Sequence, residues 1–201
     1  NYPAGKTETV TVENNPLDPS AGTREVPFSG SLWIEADDFM AEPIPKYKRL
    51  FPGGPECRLK GAYLIKCVGY ETDENGNVTE IAAEYDPDSR GGDPADGRKV
   101  KGATIHWVDA ATAIDAEVRL YDNLFTDADP DAADKNFLEC LNPNSLEVLT
   151  GCKVEASLGS AKPSDHFQFM RQGYFCADSK DSAPGHLVFN RSVSLKDSFK
   201  K

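Results

Sequence analysis

Short runs of alternating apolar and polar residues, broken at close intervals by glycine and proline, recur along most of this chain. The 16 glycines and 14 prolines seldom leave room for a helix longer than three turns. Arg58–Val68 opens with alternating charge and is rich in strand formers. Asp73–Asn77 follows, and its Asn75-Gly76 pair favours positive φ at both central positions of a tight hairpin. Val78–Tyr85 is then expected to return antiparallel. Lys99–Val108 reads as a third strand. In Ala116–Tyr121 the alternation puts Val118 and Leu120 on one face. Further strands are expected at Ser145–Leu149, Cys152–Glu155, His166–Met170, Tyr174–Ala177 and Val188–Leu195. Asp134–Leu141 is the best candidate for a short helix, with Phe137, Leu138 and Leu141 on one stripe. Many short strands separated by turn signals predict an all-β sandwich or barrel. The length, 201 residues, supports two such units. The acidic stretch Asp109–Asp134 is the natural seam.

Composition excludes several classes. Hydrophobic residues make up 39%, enough for a packed core and too many for a disordered tail. No apolar run approaches the roughly 18 residues of a membrane helix, and no charged segment followed by an apolar one opens the chain. No membrane association is expected, and the expected location is cytoplasmic. Asn1, not Met, is the first residue, so the chain is expected to be part of a longer protein. The five cysteines (Cys57, Cys67, Cys140, Cys152 and Cys176) are odd in number and widely spaced, with no C-x-x-C. They read as reduced, buried small hydrophobes rather than a disulfide framework or a zinc site.

Charge adds a contrast. The chain carries 33 acidic and 22 basic residues, a formal charge of −11. Yet between Lys46 and Lys66 the basic Lys46, Lys48, Arg49, Arg58, Lys60 and Lys66 meet only Glu56, with Tyr47, Phe51 and Tyr63 interleaved. Cationic side chains attract phosphate and release its counterions, and aromatic faces stack on unpaired bases. Arg98, Lys99 and Lys101 form a smaller basic cluster. Asp109–Glu139 is strongly acidic, opposed only by Arg119 and Lys135. An acidic protein with one basic stripe is suited to local contact with nucleic acid. The competing interpretation of the stripe is a solvated edge strand guarded by lysines.

Other chemistries fail on spacing. His106, His166 and His186 form no H-x-x-x-H pair, and no G-x-S-x-G elbow occurs. Asp127–Asp131 begins like a calcium loop, but Ala132 stands where glycine is required and Leu138 where a bidentate glutamate is required. Pro52-Gly53-Gly54-Pro55 precedes an expected strand rather than a helix, so it is no phosphate cradle. No ATP site is visible.

Longer strings are more specific. Arg24-Glu25-Val26-Pro27-Phe28-Ser29, Tyr47-Lys48-Arg49-Leu50, Ala62-Tyr63-Leu64-Ile65-Lys66, Asp93-Pro94-Ala95-Asp96-Gly97-Arg98-Lys99-Val100-Lys101-Gly102 and Ile105-His106-Trp107-Val108 occur in order. So do Arg119–Phe125, Asn142–Leu146, Phe167-Gln168-Phe169, Gly173-Tyr174-Phe175-Cys176 and Val188-Phe189-Asn190-Arg191. Over essentially its whole length the chain resembles the C-terminal anticodon-binding region of bacterial-type glutaminyl-tRNA synthetases.

That resemblance implies an all-β fold of two β-barrels of ribosomal protein L25-like type with exchanged N-terminal strands. The first barrel would span residues 23–108 and the second 109–201, with 1–22 a strand segment packing with the second. It implies a part of an ATP-dependent ligase that itself carries no catalytic residues, cofactor or metal. ATP and magnesium would act in a catalytic domain elsewhere in the same chain. The partner would be the anticodon loop of tRNA(Gln), and the protein a monomer. Arg49 would read the third anticodon base, a guanine, because a guanidinium fork can donate to both O6 and N7. Lys48 would neutralise phosphate. Arg58 and Lys60 would serve the first base and its phosphate, Lys60 standing where the family more often has arginine. Lys46 replaces an amide usual in some relatives. Gln168 and Arg171 match positions that hold the middle base, a uracil, whose edge needs both a donor and an acceptor. One further arginine for that base would lie upstream of Asn1. Pro16 and Asn190 would be pocket walls. The alternatives are the matching region of an archaeal/eukaryotic-type glutamyl-tRNA synthetase, a stand-alone L25-like RNA-binding protein, and a protein-interaction module using the acidic stretch.

Overall fold

The computed structural model describes residues 1–132 and 134–195. Their regular structure is β-strand with four short 3-10 turns and no α-helix. The chain divides into two compact units, Asn1–Thr112 and the residues from Ala113 onward. The boundary falls inside the expected acidic seam, a few residues beyond the expected 108/109 division.

In the first unit β1 (Glu8–Glu13) and β2 (Thr23–Phe28) form an antiparallel hairpin. Val10 lies opposite Val26, and Val12 and Phe28 also point into the core. β3 (Leu32–Ile34), β4 (Cys57–Leu59), β5 (Leu64–Thr72), β6 (Val78–Tyr85), β7 (Thr104–Ile105) and β8 (Trp107–Asp109) follow. β3 pairs with β8, and the remaining four form a sheet in the order β6-β5-β4-β7. Alternation decides the burial of β4: Cys57 and Leu59 are fully buried, while Arg58 between them reaches the surface. Edge-on contact between the rings of Phe28 and Trp107, 5.0 Å apart, closes the middle of this core.

In the second unit β9 (Ile114–Tyr121), β10 (Leu146–Val154), β11 (His166–Phe169), β12 (Gly173–Ala177) and β13 (Leu187–Ser194) make one sheet in the order β10-β9-β13-β12-β11. β13 runs parallel to β9, and the other neighbours are antiparallel. Val118, Phe175 and Phe189 are buried on one face. Phe169 stacks on Phe175 with centroids 4.3 Å apart.

The all-β class is as expected, but several details differ. The sheets do not close into barrels. Strands in the first unit are split among three small sheets, and the five-stranded sheet ends in free edges at β10 and β11. Every described ladder lies within its own unit, so no exchanged strand is found. Residues 1–22 belong to the first unit, because β1 is hydrogen-bonded to β2 and Val10 and Val12 fill that unit's core. This corrects the expected packing of 1–22 with the second barrel. The single strand expected over Arg58–Val68 is two strands, reversed at Gly61 with φ +71°. The Asp73–Asn77 hairpin forms, but only Gly76 takes positive φ. The Asp73 carboxylate instead accepts the backbone N–H groups of Asn75 and Asn77. Ser145–Leu149 and Cys152–Glu155 fuse into β10 with a register shift near Gly151. Asp134–Leu141 is no helix. It holds one 3-10 turn, Phe137–Cys140, with Phe137 51% and Leu138 59% exposed. Without a buried stripe, a sequence this short has nothing to offset helix nucleation. No helix is long and apolar enough to cross a membrane among the described residues.

Candidate nucleic-acid interface

The segment Lys46–Leu50 leaves a turn at Lys46 and runs beside Asp37–Met40. Leu50 N–H donates to the Asp38 carbonyl at 3.0 Å, Met40 N–H donates to the Leu50 carbonyl at 3.1 Å, and Leu50 is buried. This lock fixes the side chains before it. The Tyr47 hydroxyl and Arg49 Nη1 both donate to the Asp37 carbonyl, at 2.8 and 3.0 Å. Arg49 Nε lies 3.2 Å from the carboxylate of the fully buried Asp38. Nη2 of Arg49 has no protein acceptor among the described residues. Lys46 and Lys48, both exposed, have no ion-pair partner among them either. The result is an arginine anchored on two nitrogens with its outer edge open, beside two unneutralised ammonium groups.

Arg58 sits on β4 and is also anchored. Its Nε donates to the Gly92 carbonyl, and its Nη2 lies 2.8 Å from Asp93. Gly92 (φ +95°) makes this possible, because a Cβ there would stand 2.9 Å from Arg58 Cγ and Cδ. The Asp93 carboxylate is 87% exposed, so this pair contributes little stability. Arg58, Lys60, Thr11, Glu13, Asp93 and Thr104 line a cavity of about 320 Å³. It offers both donors and carboxylate acceptors.

The two basic segments are tied together by Gly102 and Ala103. Ala103 N–H donates to the Lys48 carbonyl at 2.7 Å, Gly102 N–H donates to the Glu56 carbonyl at 3.1 Å, and Arg58 N–H donates to the Ala103 carbonyl at 3.0 Å. The Cys57 thiol packs under this strap, and burial pushes its pKa up to about 11, so it stays a neutral filler. Arg98, grouped above with Lys99 and Lys101, is neutralised by Glu56, Asp86 and Asp96, at 2.8, 2.6 and 3.0 Å. It holds its loop to the sheet. Lys99 and Lys101 are exposed.

In the second unit Gln168 is exposed on the edge strand β11, directly opposite Tyr174 of β12. Tyr174 in turn faces Val193 of β13, and both are about half exposed, at 49% and 58%. Tyr174 is a neighbour that sequence reading missed, although its place in a G-Y-F-C string held the hint. Arg171 stands in the turn after β11 at φ +65°. Lys46 (φ +69°) shares that left-handed backbone, and the two account for all but Ser164 of the described non-glycine residues found there. Such conformations are costly and tend to persist at functional sites.

Asn190 is committed internally. Its Oδ1 accepts from the Tyr121 hydroxyl at 3.0 Å, and its Nδ2 donates to Asp178 at 2.7 Å. Asp178 also accepts the N–H groups of Asp181 and Lys180, both at 2.8 Å. These bonds, the Asp181 N–H first, hold its pKa down to about 2. A carboxyl depressed by folding stabilises above its ordinary pKa of 3.8 and loses that contribution as the pH falls toward 2. Asp178→Asn is therefore expected to lose less stability than the wild type between about pH 5 and pH 2.5, as read by urea denaturation at the two pH values. Equal losses would refute the assignment. Pro16 is exposed in the loop between β1 and β2 and is not among the cavity's lining residues.

Two family models, each described as tRNA synthetases class I (E and Q), anti-codon binding domain, match residues 1–86 and 104–178. They cover most of both units, and the chain belongs to the anticodon-binding domains of class I tRNA synthetases. Its similar proteins are glutamine–tRNA ligases. It is 56% identical over 201 residues to that of Vibrio cholerae (strain M66-2), covering 100% of this chain and 35% of the relative. For Clostridium kluyveri the identity is 54%, with 100% and 36% covered. For Pseudomonas syringae pv. tomato it is 51%, with 99% and 35% covered. The chain thus spans about a third of the length of the curated relatives it matches.

Proposed function

We propose that this chain reads the anticodon of tRNA(Gln) for a cytoplasmic, monomeric glutamine–tRNA ligase. The observation that carries the reading is Arg49, held through Nε and Nη1 with its outer edge open beside Lys46 and Lys48. A guanidinium so oriented can offer two parallel N–H groups to guanine O6 and N7. Lys48 neutralises phosphate. Arg58 and Lys60 hold the first base and its phosphate at their cavity, whose carboxylates can accept from a base amine. Gln168 supplies the donor and acceptor that uracil needs, and Arg171 supports it. Pro16 and Asn190 act as walls, a role that suits Asn190 because its amide is already used by Tyr121 and Asp178. Phosphate contacts position the loop and base contacts choose it. In this reading ATP and magnesium act in a catalytic domain in the remaining length of the ligase.

The test is binding to a glutamine anticodon stem-loop and to single-base variants at two or more salt concentrations. Tight binding to the cognate loop, weakened by any one base change, supports the reading. Equal binding to all loops overturns it. In the same titration Lys48→Ala is expected to reduce the slope of log K against log salt by about one unit, equally for all loops. An unchanged slope would show that Lys48 touches no phosphate.

A further inference from the structure

Among the described residues, Arg58 is held by an exposed aspartate and Lys46, Lys48 and Lys60 by no carboxylate, whereas the Asp38 behind Arg49 is fully buried and Arg49 is 37% exposed. Asp38 ends the 3-10 turn Ala36–Asp38, and its backbone is itself locked by Leu50. A negative charge out of water, within 3.2 Å of Nε, draws the guanidinium to one position. The Asp37 carbonyl fixes a second nitrogen at 3.0 Å. Planar, two-point recognition of guanine requires the guanidinium plane to be set in advance, since a freely turning arginine loses side-chain entropy on binding.

We propose that Asp38 is a positioning residue for guanine selection: it aims the Arg49 fork and touches no RNA. The inference rests on the assignment of Arg49 to the third anticodon base. Asp38→Asn keeps the shape and an acceptor for Nε but removes the charge. Affinities of the intact protein are measured for stem-loops with guanine or adenine at that position, in the wild type, Asp38→Asn and Arg49→Ala. Asp38→Asn is expected to weaken the guanine loop about 10-fold while the adenine loop changes less than about twofold. The preference for guanine then falls. A merely structural role would weaken both loops alike, and that result, or an unchanged preference, overturns the proposal. An unchanged preference in Arg49→Ala overturns the base assignment and this proposal together, so the two failures are distinguishable. A second measurement needs no change at Asp38. The Arg49 Nε–H signal, assigned by its loss in Arg49→Lys, is expected to show nitrogen-15 relaxation of a restrained side chain in the RNA-free protein. Relaxation like that of a freely turning arginine overturns the positioning role.

Discussion

Arg49→Ala is expected to cost about 1–3 kcal/mol in binding an anticodon loop with guanine at its third position, and much less once that guanine is replaced. Charge alone would be shared by Lys46 and Lys48, a few residues away and more exposed, and would be indifferent to the base. Arg49 differs in being tethered at Nε by Asp38 and at Nη1 by the Asp37 carbonyl, which leaves a directed fork rather than a mobile cation. On the proposed assignment, its removal would delete two hydrogen bonds to one base edge and one unit of charge. The first loss depends on the base, and the second does not. Competition binding with guanine and adenine loops at fixed salt separates the two. Equal losses on both would leave phosphate attraction as the whole of its role.

Gly102→Ala is expected to destabilise the first unit by about 3 kcal/mol or more. A Cβ at Gly102 would stand 2.2 Å from the Glu56 carbonyl oxygen and 2.8 Å from Cys57 Sγ. Neither can retreat cheaply. The carbonyl accepts the Gly102 N–H at 3.1 Å, and Cys57 is fully buried on β4. The backbone must move, and with it the Ala103 bonds to Lys48 and Arg58. Gly97 has open space around the same atom and a φ of +71°, so Gly97→Ala carries only a backbone penalty of about 1–2 kcal/mol. Urea denaturation of the two variants measures the difference. A Gly102→Ala protein within about 1 kcal/mol of the wild type would mean that the strap has room the structure does not give it.

Alternation and turn residues made most strands legible, because a half-buried strand must bury every second residue. A strand within residues 1–22 was expected only from the resemblance, and its partner in the first unit was not legible. Strand pairing is chosen by what completes a core, and Val10 found Val26 and Phe28. The stripe at 58–68 looked continuous because both halves favour strand. Gly61 turns it back, and only its φ of +71° distinguishes that glycine from one within a strand. The helix expected near 137 failed for want of a surface to cover.

The candidate residues divide in the same way. The cationic stripe and the strings that place this chain among anticodon-binding domains were present in the residue order alone. Chemistry and family are written in which side chains occur and at what spacing. Charge and spacing alone could not distinguish Arg49, Arg58 and Arg98, three arginines of like charge. Folding set Asp38 behind the first, gave the second an exposed partner, and consumed the third among three carboxylates. An arginine's availability depends on distances to acceptors far along the chain, and those distances exist only once β4, the 36–38 turn and the 86–98 loop have packed together.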